Sequence, residues 1–165
     1  MNKKVSLEEL EPFISAQLAE GGSVTFTVKG TSMRPMLIGG IDAVTIVKPT
    51  EPLKKYDVIL YRRANGQYVL HRIIKVKKDG YVCRGDNQTV KEYPVTRDRV
   101  VGVLTEYTHK GKAKRADSLG QRVYAFFRVN TALLRNHSKT LYNTLKKKEF
   151  LNDSRCSWFK VDKKY

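Results

Sequence analysis

Apolar and polar residues alternate with a period of two along much of the first two thirds of the chain, which is the pattern of half-buried strands. In the clearest case Val24, Phe26 and Val28 share one face, and the threonines between them occupy the other. β-Branched and aromatic runs extend the same pattern. The strands predicted in this way cover residues 23–29, 41–47, 56–61, 67–77, 81–84 and 100–105.

Two of the gaps between these strands contain residue pairs that favour tight hairpin turns. Asn65-Gly66 and Asp79-Gly80 both supply residues that tolerate the left-handed backbone conformation that such turns need. Because hairpins join antiparallel neighbours, the sequence predicts a mainly β fold, with an antiparallel and hairpin-rich domain.

Helical spacing replaces this alternation at the two ends of the chain. Near the start, apolar residues at helical spacing predict a short amphipathic helix over residues 6–20, which Gly21-Gly22 ends: Leu7, Leu10, Ile14 and Leu18. Pro12 predicts a kink in it or a later start. From Ser118 to Lys148, apolar residues at helical spacing alternate with arginines and lysines, which indicates one or two basic amphipathic helices.

These patterns divide the chain into an N-terminal helix (residues 1–22), a β domain (residues 23–110) and a basic helical C-terminal extension (residues 111–165). The length of 165 residues and the apolar fraction of 41% suit one domain with a sizeable core. The formal net charge is +16, and its distribution is uneven. Residues 1–110 carry 18 Lys and Arg against 12 Asp and Glu, whereas residues 111–165 carry 14 against 4.

A basic amphipathic extension has three possible partners. It can dock on its own domain, lie on an anionic membrane surface or bind nucleic acid, because all three favour apolar and cationic groups together. Residues 1–22 are too short for a helix-turn-helix, so nucleic acid is the least favoured partner.

Cysteine content and hydropathy narrow the chemistry and the location. Only Cys83 and Cys156 are present, too few and too far apart for a disulfide framework or a cysteine metal site, so we expect no metal and no cofactor. No run of roughly 18 apolar residues occurs, and the N-terminal residues soon turn acidic. We therefore expect neither a signal peptide nor a membrane-spanning helix. The predicted location is the cytoplasm, with at most peripheral contact at the inner membrane surface.

Three residues offer the groups that acyl transfer requires. Ser32 follows a predicted strand, His71 lies on another, and Asp86 lies in a turn, and together they supply a nucleophile, a base and an orienting anion. Each also has an ordinary explanation. Ser32 and Asp86 suit turns for local hydrogen-bonding reasons, and His71 shares a strand face with Val69 and Ile73, as a core histidine would.

The order and wording of the motifs around these residues are more specific. The sequence has Gly30-x-Ser32-Met33-x-Pro35-x-Leu37, then Asp42-x-Val44, then His71-Arg72-Ile73, then Gly85-Asp86-Asn87. This series resembles the type I signal peptidase family, in the Ser-His form typical of archaea, the endoplasmic reticulum and some Gram-positive bacteria. The resemblance covers about residues 23–104.

The resemblance implies a serine endopeptidase that cuts a peptide or precursor near small residues. It implies that Ser32 is the nucleophile, that His71 is the base in place of the lysine of bacterial enzymes, and that Asp86 supports the site. Members of the Ser-His branch often carry a second acidic residue a few positions later, which here is Glu92. Whether Asp86 or Glu92 orients His71 stays open. For the oxyanion, the candidates are the Ser32 backbone N–H and the Thr31 hydroxyl.

A second class of function is a non-catalytic binding module. Such a protein would keep the peptidase fold and use its basic extension to bind a membrane surface, a nucleic acid or an acidic partner. Unlike typical members of the family, this chain is expected to lack a membrane anchor, and the Gly-Asp pair of the family is separated here as Gly40-Ile41-Asp42.

Overall fold

A computed structural model describes residues 7–132 of the protein. The helices are α1 (Leu7–Ala19) and α2 (Leu119–Asn130), and a short 3₁₀ helix covers Arg97–Arg99. The strands are β1 (Ser23–Thr27), β2 (Ala43–Val47), β3 (Val58–Arg62), β4 (Tyr68–Lys77), β5 (Gly80–Arg84), β6 (Glu92–Val95), β7 (Val100–His109) and β8 (Lys112–Arg115). Among the described residues, positions 7–129 belong to one compact unit. No helix within residues 7–132 is long and apolar enough to cross a membrane.

The eight strands within residues 7–132 belong to one antiparallel sheet. Seven of them follow the order β1-β2-β7-β3-β4-β5-β6, and β8 pairs with β7. The ten-residue strand β7 pairs with β2 along one edge and with β3 and β8 along the other. After the edge strand β6, the chain therefore returns to the interior of the sheet, between β2 and β3.

The side chains of the central strands are buried on both faces of the sheet. In β3, Val58 and Leu60 pack into one apolar cluster, and Ile59 and Tyr61 pack into the other. The first cluster also receives Ile14 and Leu18 of α1, and it contains Leu37 of the segment after β1. A strand with two covered faces reads as a continuous apolar run, which is why the alternation is weak there.

The prediction of a mainly antiparallel β fold with a short N-terminal helix and a C-terminal helix is confirmed. The helix predicted over residues 6–20 is α1, which continues through Pro12. Gly21 follows it with φ +80°, as expected for a residue that ends a helix. The hairpins at Asn65-Gly66 and Asp79-Gly80 join β3 to β4 and β4 to β5.

Two strands were not predicted from the sequence. β6 is short and contains Pro94, and β8 is Lys-Ala-Lys-Arg with every residue exposed, so neither has an apolar pattern. Because β8 pairs with β7, the sheet extends past residue 110, where the prediction ended the β domain. α2 begins where the basic helical stretch was expected, and the part of that stretch after residue 132 lies outside the described residues.

The Ser32 loop, residues 28–42 between β1 and β2, is a loop whose two ends lie close together. Gly30 has φ +81°, and a Cβ added to Gly39 would lie 2.1 Å from the backbone oxygen of Gly30. The Val28 carbonyl accepts a hydrogen bond from the Gly40 N–H at 2.8 Å. Two glycines are therefore needed for the loop to close, and Met33, Met36 and Leu37 attach it to the core.

Candidate active site

His71 lies in the middle of β4, and its side chain is fully buried. Its neighbours along the strand alternate, so His71 faces the cluster that contains Tyr61 and Ile73, while Arg72 faces the opposite side of the sheet. β4 is paired on both edges, with β3 and with β5, which fixes the backbone of His71. The imidazole is therefore held by a rigid strand.

The Nδ1 atom of His71 faces two oxygen atoms. Glu92 Oε1 lies 3.2 Å away, and the Tyr61 hydroxyl lies 3.2 Å away. Glu92 is the first residue of β6, whose partner β5 carries Cys83 opposite it. The structure thus places Glu92, one of the two predicted acidic residues, next to the imidazole.

Glu92 is itself held by Arg63, the residue after β3. Arg63 donates from Nε to Glu92 Oε2 at 2.8 Å and from a terminal nitrogen to Glu92 Oε1. This fork of two hydrogen bonds fixes the plane of the carboxylate. Arg63 lies beside the Asn65-Gly66 turn, so a hairpin that the sequence predicts positions a residue that it does not single out.

The surroundings of His71 shift its pKa downwards. Burial is the main cause, because the charged imidazolium loses its hydration. The negative charge of Glu92 opposes this effect, and the positive charge of Arg63 adds to it. For Glu92, burial would raise the pKa, but hydrogen bonds from Arg63 and Tyr61 outweigh burial and lower it. The site therefore holds a carboxylate anion beside a neutral imidazole.

The other ring nitrogen, Nε2, faces Gly85 and the Ser32 loop. It is buried, and no residue that the structure describes forms a hydrogen bond with it. A Cβ added to Gly85 would lie 3.1 Å from this nitrogen and 2.7 Å from the backbone oxygen of Ser32. The backbone oxygen of Ser32 and the Nε2 atom of His71 therefore lie no more than 5.8 Å apart, which is the sum of these two distances.

Ser32 is attached to the turn that contains Gly85. The Asn87 N–H donates to the Ser32 carbonyl oxygen at 2.7 Å, and the Asn87 side-chain amide donates to the Thr31 carbonyl oxygen at 3.3 Å. The Ser32 hydroxyl is not hydrogen-bonded to His71 in this arrangement. The loop and the imidazole nevertheless lie on either side of the space that a side chain at position 85 would occupy.

Asp86 belongs to the same turn but makes different contacts. Both of its carboxylate oxygens accept hydrogen bonds from Arg72, at 2.8 and 2.7 Å, and the Tyr124 hydroxyl donates to Oδ2 at 3.1 Å. Arg72 also donates to Met36 Sδ at 3.0 Å. Asp86 therefore links β4, α2 and the Ser32 loop, and its carboxylate is directed at Arg72.

A small cavity of about 90 Å³ borders Ser32. It is lined by residues of the Ser32 loop and of the start of β4, among them Met33, Leu37 and Leu70. Larger cavities of about 460 and 750 Å³ border α2, and neither is lined by Ser32 or His71. A cavity of this volume can hold only a small group.

The structure brings Ser32, His71 and Glu92 towards one another and engages Asp86 elsewhere. Sequence reasoning missed Arg63, Tyr61 and Arg72. The motif His71-Arg72-Ile73 contained a signal for Arg72, since a charged residue in the middle of a buried strand needs a buried partner. No group of three or more His, Cys, Asp or Glu side chains that could hold a metal occurs within residues 7–132.

An imidazole with an anion on one nitrogen and an open second nitrogen is suited to accept a proton from a nearby hydroxyl. Glycine at position 85 leaves the space in which that transfer would occur. Comparison of the sequence with models of protein families and with curated proteins gave no significant match.

We expect His71 to titrate below the ordinary histidine pKa of 6.5, because burial disfavours its charged form. NMR titration of histidine ring signals measures this value. Below pH 6.5 the unfolded chain then binds more protons than the folded one, so folding stability falls as the pH drops through this range. Glu92→Gln removes an anion and should lower the pKa further. A pKa at or above 6.5 in the native protein would contradict this account.

Proposed function

We propose that the protein is a serine endopeptidase of the signal peptidase type, with Ser32 as nucleophile and His71 as general base. One observation carries the proposal. The Nδ1 atom of His71 lies 3.2 Å from Glu92, while Nε2 has no hydrogen-bond partner within residues 7–132 and faces the Ser32 loop across Gly85. Unsatisfied buried polar atoms are rare in folded proteins, and a catalytic role is one of the usual reasons for them.

The proposed reaction uses this geometry. Rotation of the Ser32 side chain towards Nε2 places its hydroxyl proton on the imidazole as Oγ bonds to the carbonyl carbon of the peptide. The tetrahedral intermediate then collapses, the C–N bond breaks, and the imidazolium gives its proton to the leaving amine. Water, activated by the same nitrogen, hydrolyses the ester on Ser32 and restores the enzyme.

Glu92 takes the orienting role in this proposal, and Asp86 supports the site structurally. Glu92 accepts from Nδ1–H and stabilises the imidazolium that forms during attack. Asp86 holds Arg72 and Tyr124 and thereby fixes the turn that binds Ser32. The backbone N–H of Ser32 and the hydroxyl of Thr31 are the candidates for stabilising the oxyanion.

The substrate class follows from the small cavity and from the family resemblance. A cavity of about 90 Å³ that Ser32 helps to line favours a peptide with a small side chain at the cleavage site. A peptide or a precursor protein is the expected substrate, met in the cytoplasm or at the inner membrane surface. The basic segment after residue 110 is then available to bring the enzyme to an anionic membrane surface.

Removing either catalytic group should abolish cleavage of precursor peptides that carry small side chains. We expect Ser32→Ala and His71→Ala each to lower kcat/KM by about 10³-fold or more. Ser15→Ala, which changes an exposed serine on α1, is the matched control and should retain wild-type kcat/KM. Product analysis by mass spectrometry gives the cleavage site. Equal turnover by all four proteins would refute the proposal and favour the non-catalytic binding module.

The two acidic residues should fail in different ways when their charge is removed. Glu92→Gln should lower kcat by about 10²-fold or more while the fold is retained, because the imidazole loses its orienting anion. Asp86→Asn should lower the free energy of unfolding by about 3–5 kcal/mol, because it leaves the buried Arg72 without its counter-ion. Denaturant unfolding combined with kinetics separates these effects. The reverse assignment would identify Asp86 as the orienting residue.

A further inference from the structure

We propose that Arg63 is a positioning residue that sets the tautomer of His71, by holding Glu92 against Nδ1 so that Nε2 faces Ser32 without a proton. This inference rests on the proposed peptidase function, and it concerns residues outside the motifs that suggested that function. Arg63 touches Glu92 and, through it, acts on His71.

The contacts of Nδ1 are compatible with either of the two neutral tautomers of His71. If the Tyr61 hydroxyl donates its proton to Nδ1, then the imidazole carries its own proton on Nε2 and cannot accept one from Ser32. If Nδ1 carries the proton, it donates to an oxygen, and Nε2 is a base. Tyr61 and Glu92 both lie 3.2 Å from Nδ1, so distance alone does not decide.

Arg63 shifts this choice towards the basic form of Nε2. Its fork of two hydrogen bonds keeps the Glu92 carboxylate ionised and oriented at the imidazole. An ionised carboxylate is a stronger acceptor than a neutral ring nitrogen, so it favours the tautomer with the proton on Nδ1, from where the ring can donate to Glu92 Oε1 or to the Tyr61 oxygen, both 3.2 Å away. Burial would raise the pKa of Glu92, and the hydrogen bonds from Arg63 are the largest of the effects that lower it.

The position of Arg63 is itself fixed by the β3–β4 hairpin. Its backbone N–H donates to the Gln67 carbonyl at 2.8 Å, its carbonyl accepts from the Gly66 N–H at 3.0 Å, and its guanidinium donates to Gln67 Oε1 at 3.1 Å. The side chain is one third exposed, whereas that of His71 is fully buried. Arg63, which the hairpin holds in a partly exposed position, thus fixes the buried His71 through Glu92. A lysine there would keep the charge but not the fork.

The other charged or titratable groups near His71 do not offer the same control. Asp86 adds a weaker charge effect on His71, but Arg72 and Tyr124 engage its carboxylate. Cys83 lies opposite Glu92, and burial raises its pKa to about 12, so it stays neutral. Arg63 and Glu92 are therefore the charged pair that can determine the tautomer of His71.

The tautomer can be measured without any substrate. In full-length protein labelled with ¹⁵N-histidine, ring nitrogen shifts distinguish the two neutral forms, and His71→Gln identifies the signals among the three histidines. At a pH well above 6.5 we expect the native protein to carry its proton on Nδ1. Arg63→Met should move at least half of the population to the Nε2–H form.

The same variants should change catalysis in parallel. We expect Arg63→Met to lower kcat by about tenfold to a hundredfold, the range seen when partners that orient a histidine are removed from metal sites. Arg63→Lys should recover part of the loss. Arg62→Met is the matched control: it removes the same charge from the adjacent residue, which is exposed and lies over the Tyr68 ring, and it should leave tautomer and kcat unchanged.

Two results would overturn the inference: an Nδ1–H imidazole with native kcat in Arg63→Met, or an equal change in Arg62→Met. If Arg63→Met does not fold, Arg63→Gln replaces it under the same criteria. Failure of the proposed function is distinguishable, because it would show as cleavage independent of Ser32 or as no cleavage at all. The tautomer measurement would still decide the role of Arg63 in that case.

Discussion

The buried ion pair between Arg72 and Asp86 is the interaction on which the rest of the site depends. Arg72 is almost fully buried, and its guanidinium contacts the Asp86 carboxylate, the Tyr56 carbonyl and Met36 Sδ. These partners belong to the turn after β5, the segment before β3 and the Ser32 loop. A buried charge without a counter-ion is very costly, so these segments must assemble together. The Ser32 loop is thereby fixed next to the Gly85 turn.

The alternation of side chains along β4 connects this structural pair to the chemistry. His71 and Arg72 are adjacent, so they lie on opposite faces of the sheet. One face carries the imidazole with Tyr61 and Glu92, and the other carries the guanidinium with Asp86 and Met36. The turn after β5 serves both, since Gly85 borders Nε2 and Asp86 binds Arg72. His71 and Arg72 thus connect the candidate site to the contacts that hold the fold together.

Much of the fold could be predicted because its elements have strong local patterns. In the part of the chain that the structure describes, alternation and turn pairs predicted six of the eight strands, and helical spacing predicted α1 and α2. β6 and β8 could not be predicted, because they are stabilised by pairing with β5 and β7 rather than by apolar residues of their own. The pattern of a strand shows which face is buried but not which partner covers its edge.

The candidate site shows the same division between local and long-range information. Ser32, His71, Asp86 and Glu92 could be named from the motifs, but the sequence could not choose between the two acidic residues. That choice depends on which carboxylate Arg72 engages and on where β6 places Glu92, and both are contacts between distant segments. Arg63 could not be found at all, because its partner lies 29 positions away on a strand without a pattern.

The most direct test of the central claim, that Ser32 and His71 act as a pair, is the pKa of a thiol at position 32. In Ser32→Cys, the rate of alkylation as a function of pH gives that pKa, and mass spectrometry distinguishes the introduced thiol from Cys83 and Cys156. The account predicts a pKa at least about one unit below the ordinary 8.5, restored when His71→Ala is added. An ordinary pKa that does not depend on His71 would contradict the account.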